Sequence, residues 1–287
     1  MIEFFQILMK PEAAFLRYAL LAGILASISF GMMGTYVVVR RISYIAGAIG
    51  HCILGGIGAA LYLQKTLGLS WMQPIYGSIA SGLLAAMAIG LISLYARQRE
   101  DTVIGALWAI GMAIGIIFFN KIPGYVDPMS YLFGNILLIS HSDLWLIAGL
   151  DILLIAVVFL FYNQFQGICF DGEFAKLRGV HTELYYLVLL CMTALSIVLL
   201  INIVGALMVV ALLTLPAAVA CQFSRRLWHM MLLSTLCCMV FTTSGLVCSY
   251  AYDLPSGPVI ILISGAIYLA ITIGHYASRN FRCFSKS

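Results

Sequence analysis

Nine apolar stretches, each near the ~20 residues that cross a bilayer as a helix, follow one another along this chain with polar breaks between them. They read Tyr18–Val39, Ile42–Leu63, Trp71–Ala96, Thr102–Phe119, Leu144–Tyr162, Leu184–Ile201, Val204–Gln222, Leu227–Tyr250 and Pro258–Tyr276. Positive charge punctuates them unevenly. Eleven of the fifteen Lys and Arg residues fall in alternate breaks: Arg40/Arg41, Arg97/Arg99, Lys176/Arg178, Arg225/Arg226 and the tail Arg279/Arg282/Lys286. The intervening breaks hold only Lys65 and Lys121, while Lys10 and Arg17 precede the first stretch. Under the positive-inside rule the rich breaks are cytoplasmic. Nine crossings with a cytoplasmic C-terminus then place the N-terminus outside.

One boundary admits two readings. Leu184–Gln222 is 39 residues long, and Asn202 is the strongly polar residue in its middle. A single helix of that length would measure about 58 Å, so a tight outer hairpin around Asn202–Gly205 is expected. If its second arm only dips into the membrane and returns, the crossings number eight and the N-terminus lies inside.

The fold class is therefore all-α: a polytopic helical membrane bundle, expected as a single domain over residues 1–287. A chain that is 63% hydrophobic and 9% charged is no soluble globule, in which charged residues make up about a quarter. Its net charge of +4 is not a nucleic-acid signal, because the basic residues sit at helix ends where they face anionic headgroups. Met1–Phe15 lacks the basic start of a cleavable signal, so the first stretch is expected to stay in the membrane. Of eight cysteines, Cys52, Cys191, Cys221, Cys237, Cys238 and Cys248 lie within apolar stretches, and no CxxC occurs. That spacing reads as small apolar packing residues rather than a metal or redox centre.

Three segments are longer than simple turns. They are the sixteen-residue N-terminal lead, the outer loop Asn120–Asp143, and the cytoplasmic loop Gln164–Glu183, whose charged, amphipathic character is unlike the rest.

Ionisable residues at membrane depth are expensive, so they mark candidate sites. His51 lies ten residues past Arg41, roughly 15 Å along its helix and near the midplane. Gly47 and Gly55 stand one turn to each side, with Ala48, Gly50, Gly56, Gly58, Ala59 and Ala60 around them. Such small residues let helix backbones approach closely. Imidazole is a common ligand for borderline divalent metals, which makes His51 a candidate metal-transit ligand. The alternative is a neutral histidine bonded to a neighbouring carbonyl. Asp151 is the one acid deep in an apolar stretch, two turns inside from Asp143 with His141 just above. These three either form a polar access path for a cation or reach headgroup water at the outer interface. Pro216 interrupts Val204–Gln222, and proline removes a backbone donor and clashes with the carbonyl four residues earlier. A kink near Leu212 is expected, and broken helices mark gates in many transporters. No GxxxxGK[ST] occurs, so the chain does not bind ATP by a P-loop.

Six segments in order resemble the bacterial ABC-importer permeases for zinc, manganese and iron. They are Val39–His51 (VRRISYIAGAIGH), Asp101–Gly105 (DTVIG), Tyr131–Asn135 (YLFGN), Phe170–Val180 (FDGEFAKLRGV), Val204–Ala218 (VGALMVVALLTLPAA) and Asp253–Ile261 (DLPSGPVII). The resemblance implies the type II ABC importer permease fold and a transport subunit that is not itself an enzyme. It implies a permease pair, a separate cytoplasmic ATPase that alone handles ATP, an extracytoplasmic metal-binding protein and a bacterial inner membrane. The cargo is a divalent metal ion, with no tightly bound cofactor. Within Gln164–Glu183, Phe170–Val180 looks like a coupling helix that docks in the ATPase, which gives that role to Asp171, Glu173, Phe174, Lys176, Leu177, Arg178 and Gly179. The family motif, roughly RRxSYxGDAxSHA, matches at Arg41, Ser43, Tyr44 and His51. Its Asp, one turn before the His, is Gly47 here. A sister permease supplying that carboxylate in a heterodimer would complete the pair.

Two other classes compete. An ion-coupled secondary transporter would use His51 and Asp151 as a proton relay, and would need more buried acids or an inverted repeat. An intramembrane enzyme would need a second His or a nucleophile facing His51.

Overall fold

The computed structural model describes residues 14–66, 68–69, 71–95, 100–123, 131–132, 134 and 139–284. The N-terminal lead through residue 13, Arg97, Arg99, Lys286 and much of the outer loop, including Asn135, lie outside the described residues. The architecture is helical, as the apolar stretches require. In chain order the helices are α1 (Ala14–Val39), α2 (Ser43–Thr66), α3 (Pro74–Tyr95), α4 (Glu100–Lys121), α5 (His141–Leu160), α6 (Tyr162–Phe170), α7 (Gly172–Leu177), α8 (Thr182–Val204), α9 (Ala206–Phe223), α10 (Leu227–Tyr252) and α11 (Ser256–Phe284). Among the described residues nine of these are long and apolar enough to cross a membrane, all but α6 and α7.

The turn expected around Asn202–Gly205 forms at Gly205. This residue takes φ +90° between the end of α8 and the start of α9, a conformation that glycine adopts without a Cβ penalty. The long stretch is thus two helices, and Pro216 lies inside α9 without ending it. Other helix ends follow local chemistry. Ser140 and Asp143 form a reciprocal capping box at the start of α5. The Asp171 carboxylate accepts the Phe174 N–H at 2.9 Å to start α7.

α2 is the centre of the bundle. It packs along α3 and α4 and also meets α8 and α9, while α1 packs along α5, α9 and α10. One continuous apolar core runs through these helices. Close approach depends on glycine at two seams. A Cβ on Gly56 of α2 would come 2.2 Å from the Gly77 carbonyl of α3, and one on Gly55 would come 2.9 Å from the Gly111 carbonyl of α4. Van der Waals packing drives helix association in lipid, so such seams hold the bundle together. Several buried hydroxyls bond inside their own helices, as Thr35 does on the Gly31 carbonyl at 2.7 Å and Thr193 on the Leu189 carbonyl at 2.8 Å.

Segments that the charge pattern assigns to one side gather at one end of the bundle. At one end the Arg40 guanidinium donates to the Ile168 carbonyl at 3.0 Å, and Tyr95 donates to Glu183 at 3.0 Å. At the other, Gly134 of the outer loop is pressed against the Val204–Gly205 backbone, where a Cβ would come within 2.3 Å of it.

Candidate functional site

His51 is buried to 7% exposure in the middle of α2. Positions 47, 51, 55 and 58 recur at helical spacing and share the face that meets α4. There the imidazole stacks on the indole of Trp108, with ring centroids 4.5 Å apart and planes 27° from parallel. Gly47 completes the arrangement. A Cβ on it would lie 2.5 Å from Cζ3 and 2.9 Å from Cη2 of Trp108, so the indole fills the space of a side chain one turn before His51. Cys52 also faces α4, donating to the Leu107 carbonyl at 3.3 Å.

His51 Nδ1 is buried and has no hydrogen-bond partner. An unsatisfied buried polar atom costs about 1–3 kcal/mol, whereas an aromatic pair contributes about 0.5–1.5 kcal/mol beyond its buried area. The alternative reading, a neutral histidine bonded to a neighbouring carbonyl, is not seen at Nδ1.

The other membrane candidates do not converge on it. Asp151 is buried on α5, where Ser29 of α1 donates to its Oδ1 at 2.5 Å and its Oδ2 has no partner. The Asp143 carboxylate accepts from the backbone N–H and the hydroxyl of Ser140, the cap of α5. His141 is exposed, edge-on to the rings of Tyr18 and Trp145 at 6.3 Å each. Among the described residues no group of three or more His, Cys, Asp or Glu is placed to hold a metal ion. Cys52, Cys169, Cys191, Cys221, Cys237, Cys238 and Cys248 are free thiols.

A second candidate site lies at the end of the bundle carrying Arg40. Gly179, at φ +82°, closes α7 with paired bonds from its own N–H to the Lys176 carbonyl and from the Val180 N–H to the Ala175 carbonyl. This fixes a six-residue helix that buries Ala175 and leaves Phe174 and Leu177 exposed, Leu177 to 86%. Arg178 sits 4.8 Å over the Phe174 ring, as their i, i+4 spacing allows. Lys176 is taken up within the chain by Glu183 at 3.3 Å. Asp171 is the cap, so Glu173, Phe174, Leu177 and Arg178 are left to face outward. Between this segment and the helix ends lies a cleft of about 450 Å³, lined in part by Arg40, Leu94, Glu173 and Tyr186.

Trp108 and Ser29 are the residues that sequence reasoning did not place. A signal existed for Trp108, since it shares one helical stripe with Gly111 and Gly115, the residues that let α4 approach α2. For Ser29, one hydroxyl among many, there was none.

The model of the ABC 3 transport family matches residues 12–275 of the chain. A probable metal transport system membrane protein of Chlamydia pneumoniae is 41% identical over 251 residues, which are 87% of this chain and 85% of the relative. The manganese transport system membrane protein MntC of Listeria monocytogenes is 30% identical over 275 residues, or 96% of this chain and 95% of the relative. Among solved structures, PsaBC from Streptococcus pneumoniae in complex with Fab matches with a TM-score of 0.82 and 30% identity, covering 94% of this chain and 95% of the other.

Proposed function

This chain belongs to the ABC 3 transport family, and from that premise we propose that it is the permease subunit of an ATP-driven importer of a divalent metal ion, with manganese as the first cargo to test. The observation that carries this reading is the naming of relatives as metal or manganese transport system membrane proteins over nearly the whole chain. The family is one of non-enzymatic membrane transport subunits, and this chain has no P-loop of its own. The energy then comes from a separate cytoplasmic ATPase. An extracytoplasmic metal-binding protein delivers the ion, and the setting is a bacterial inner membrane.

In this reading His51 lies on the ion path. Its buried, unpartnered Nδ1 on a helix of small residues supports that role. A single imidazole is a weak site, and weak binding suits conduction because the ion must also leave. Manganese prefers oxygen donors, and Gly47 supplies none, so the remaining ligands come from a second permease across a dimer interface. A related chain with an acid at that position would serve better than a second copy. Asp151, Asp143 and His141 remain candidates nearer the outer face. The exposed Phe174 and Leu177 of α7, with Glu173 and Arg178, form the surface that docks the ATPase, and Pro216 marks α9 as a gating element. Asp151 bonded to Ser29 offers no relay to His51, which speaks against ion-coupled secondary transport.

The test is manganese accumulation by cells producing the whole importer, compared with the same cells carrying an ATPase unable to hydrolyse ATP. Uptake that needs this chain and active ATPase supports the proposal, with zinc and iron(II) as competitors to identify the cargo. Uptake indifferent to the ATPase contradicts it.

A further inference from the structure

We propose that Trp108 controls access to His51 as an aromatic shutter, closed in this structure, that must leave the Gly47 side of α2 before the imidazole can hold an ion. This rests on the reading of His51 as an ion-path residue and adds a residue that no sequence motif marks.

Three observations carry it. The indole covers one face of the imidazole at 4.5 Å. It also fills the place from which a side chain one turn before His51 would reach the same ion, since its Cζ3 lies 2.5 Å from the position of a Gly47 Cβ. The imidazole beneath it is buried, with an unpartnered Nδ1, so ring contact rather than a hydrogen bond at that atom covers it.

The shutter has somewhere to go. Helical side chains lie over the turn N-terminal to their own Cα, and for Trp108 that turn contains Gly105. A Cβ on Gly105 would meet nothing within 4 Å, so the indole has open space beside it along α4. Trp108 itself is only half-buried, whereas His51 is buried. Moving the indole outward therefore disturbs less packing than moving the histidine. A ligand that binds the open arrangement better than the closed one shifts the population accordingly, which makes the stack a filter on whatever reaches His51.

Fluorescence reads the motion directly. In the full-length chain in lipid nanodiscs, Trp71→Phe, Trp145→Phe and Trp228→Phe leave Trp108 as the reporter. Zinc(II), which does not quench by paramagnetism, is titrated first and manganese(II) second. The expected result is a saturable red shift and intensity change that His51→Ala abolishes. In parallel, Gly47→Ala, whose Cβ cannot coexist with the closed indole, should shift Trp108 emission before any metal is added and leave initial uptake in the intact importer at or above the parental rate. Trp108→Ala should match it, and adding Gly47→Ala to Trp108→Ala should change nothing further. If Gly47→Ala also lowers membrane abundance, the fluorescence experiment decides. Normal uptake by His51→Ala would remove the ion-path reading and this inference with it. An inactive His51→Ala variant, with Trp108 emission unmoved by either metal, would remove the shutter alone.

Discussion

The imidazole of His51 and the indole of Trp108 are stacked 4.5 Å apart across the α2–α4 seam, and the ring edge of Trp108 lies where a side chain on Gly47 would be. This relationship changes the meaning of the glycine. Read along the chain, Gly47 is a missing ligand beside a buried histidine. In the folded bundle it is the residue that lets an indole reach the imidazole. The presence of Gly47 and the position of Trp108 are one packing solution.

The glycine seams of α2 make a stability prediction. Gly77→Leu would push a branched side chain into the Gly56 carbonyl, whose oxygen already lies 2.3 Å from the position of a Gly77 Cβ. Backbone cannot yield there as a flexible side chain would. The cost should be at least about 1–3 kcal/mol, the usual range for overpacking. It should appear as a lower melting temperature in detergent and reduced membrane abundance. Gly105→Leu, at a position open to 4 Å, should melt like the parent protein.

Asp151 separates a structural acid from an ion ligand. Asp151→Asn keeps an acceptor for the Ser29 hydroxyl and should transport and melt close to the parent. Asp151→Ala orphans Ser29 and should lose about 1–3 kcal/mol of stability, read as a lower melting temperature. If Asp151→Asn abolished uptake with unchanged melting, the carboxylate would be an ion ligand.

The α7 surface predicts uncoupling. Phe174→Asp places a charge in the exposed apolar pair Phe174/Leu177 while leaving the Asp171 cap and the Gly179 closure intact. The expected outcome is normal membrane abundance with loss of ATP-dependent uptake and loss of the ATPase on purification. Arg40→Met removes the bond to the Ile168 carbonyl that ties α6 to the α1–α2 turn. It should retain the ATPase but transport fewer ions per ATP hydrolysed. Normal coupling in Phe174→Asp would show that the ATPase docks elsewhere.

The helices, their order and the break at Gly205 were legible in the sequence because bilayer thickness and backbone satisfaction leave few choices for apolar stretches of this length. The α7 segment was legible for a local reason: its cap, its charges and its closing glycine lie within nine residues, from Asp171 to Gly179. The site was legible only in part. His51 stood out through its own chemistry, but its partner comes from α4, 57 positions later, as 108 − 51 gives. Asp151 meets Ser29 across a separation of 122 residues. Such pairs are decided by how helices turn toward one another, which apolar stretches with little periodic contrast do not encode locally. Asp143, which reads along the chain as either part of a cation path or an acid at the outer interface, bonds to Ser140 in the capping box of α5.

The most direct measurement is metal uptake by His51→Ala in the intact importer, at matched membrane abundance and with the ATPase active. Alanine is well tolerated in a helix of small residues, so the bundle should assemble, and removal of the imidazole is the change being read. The account predicts uptake at the background of cells lacking the permease, with the purified complex still holding its ATPase. Manganese uptake at the parental rate by His51→Ala would contradict it and move the ion path away from the α2–α4 seam.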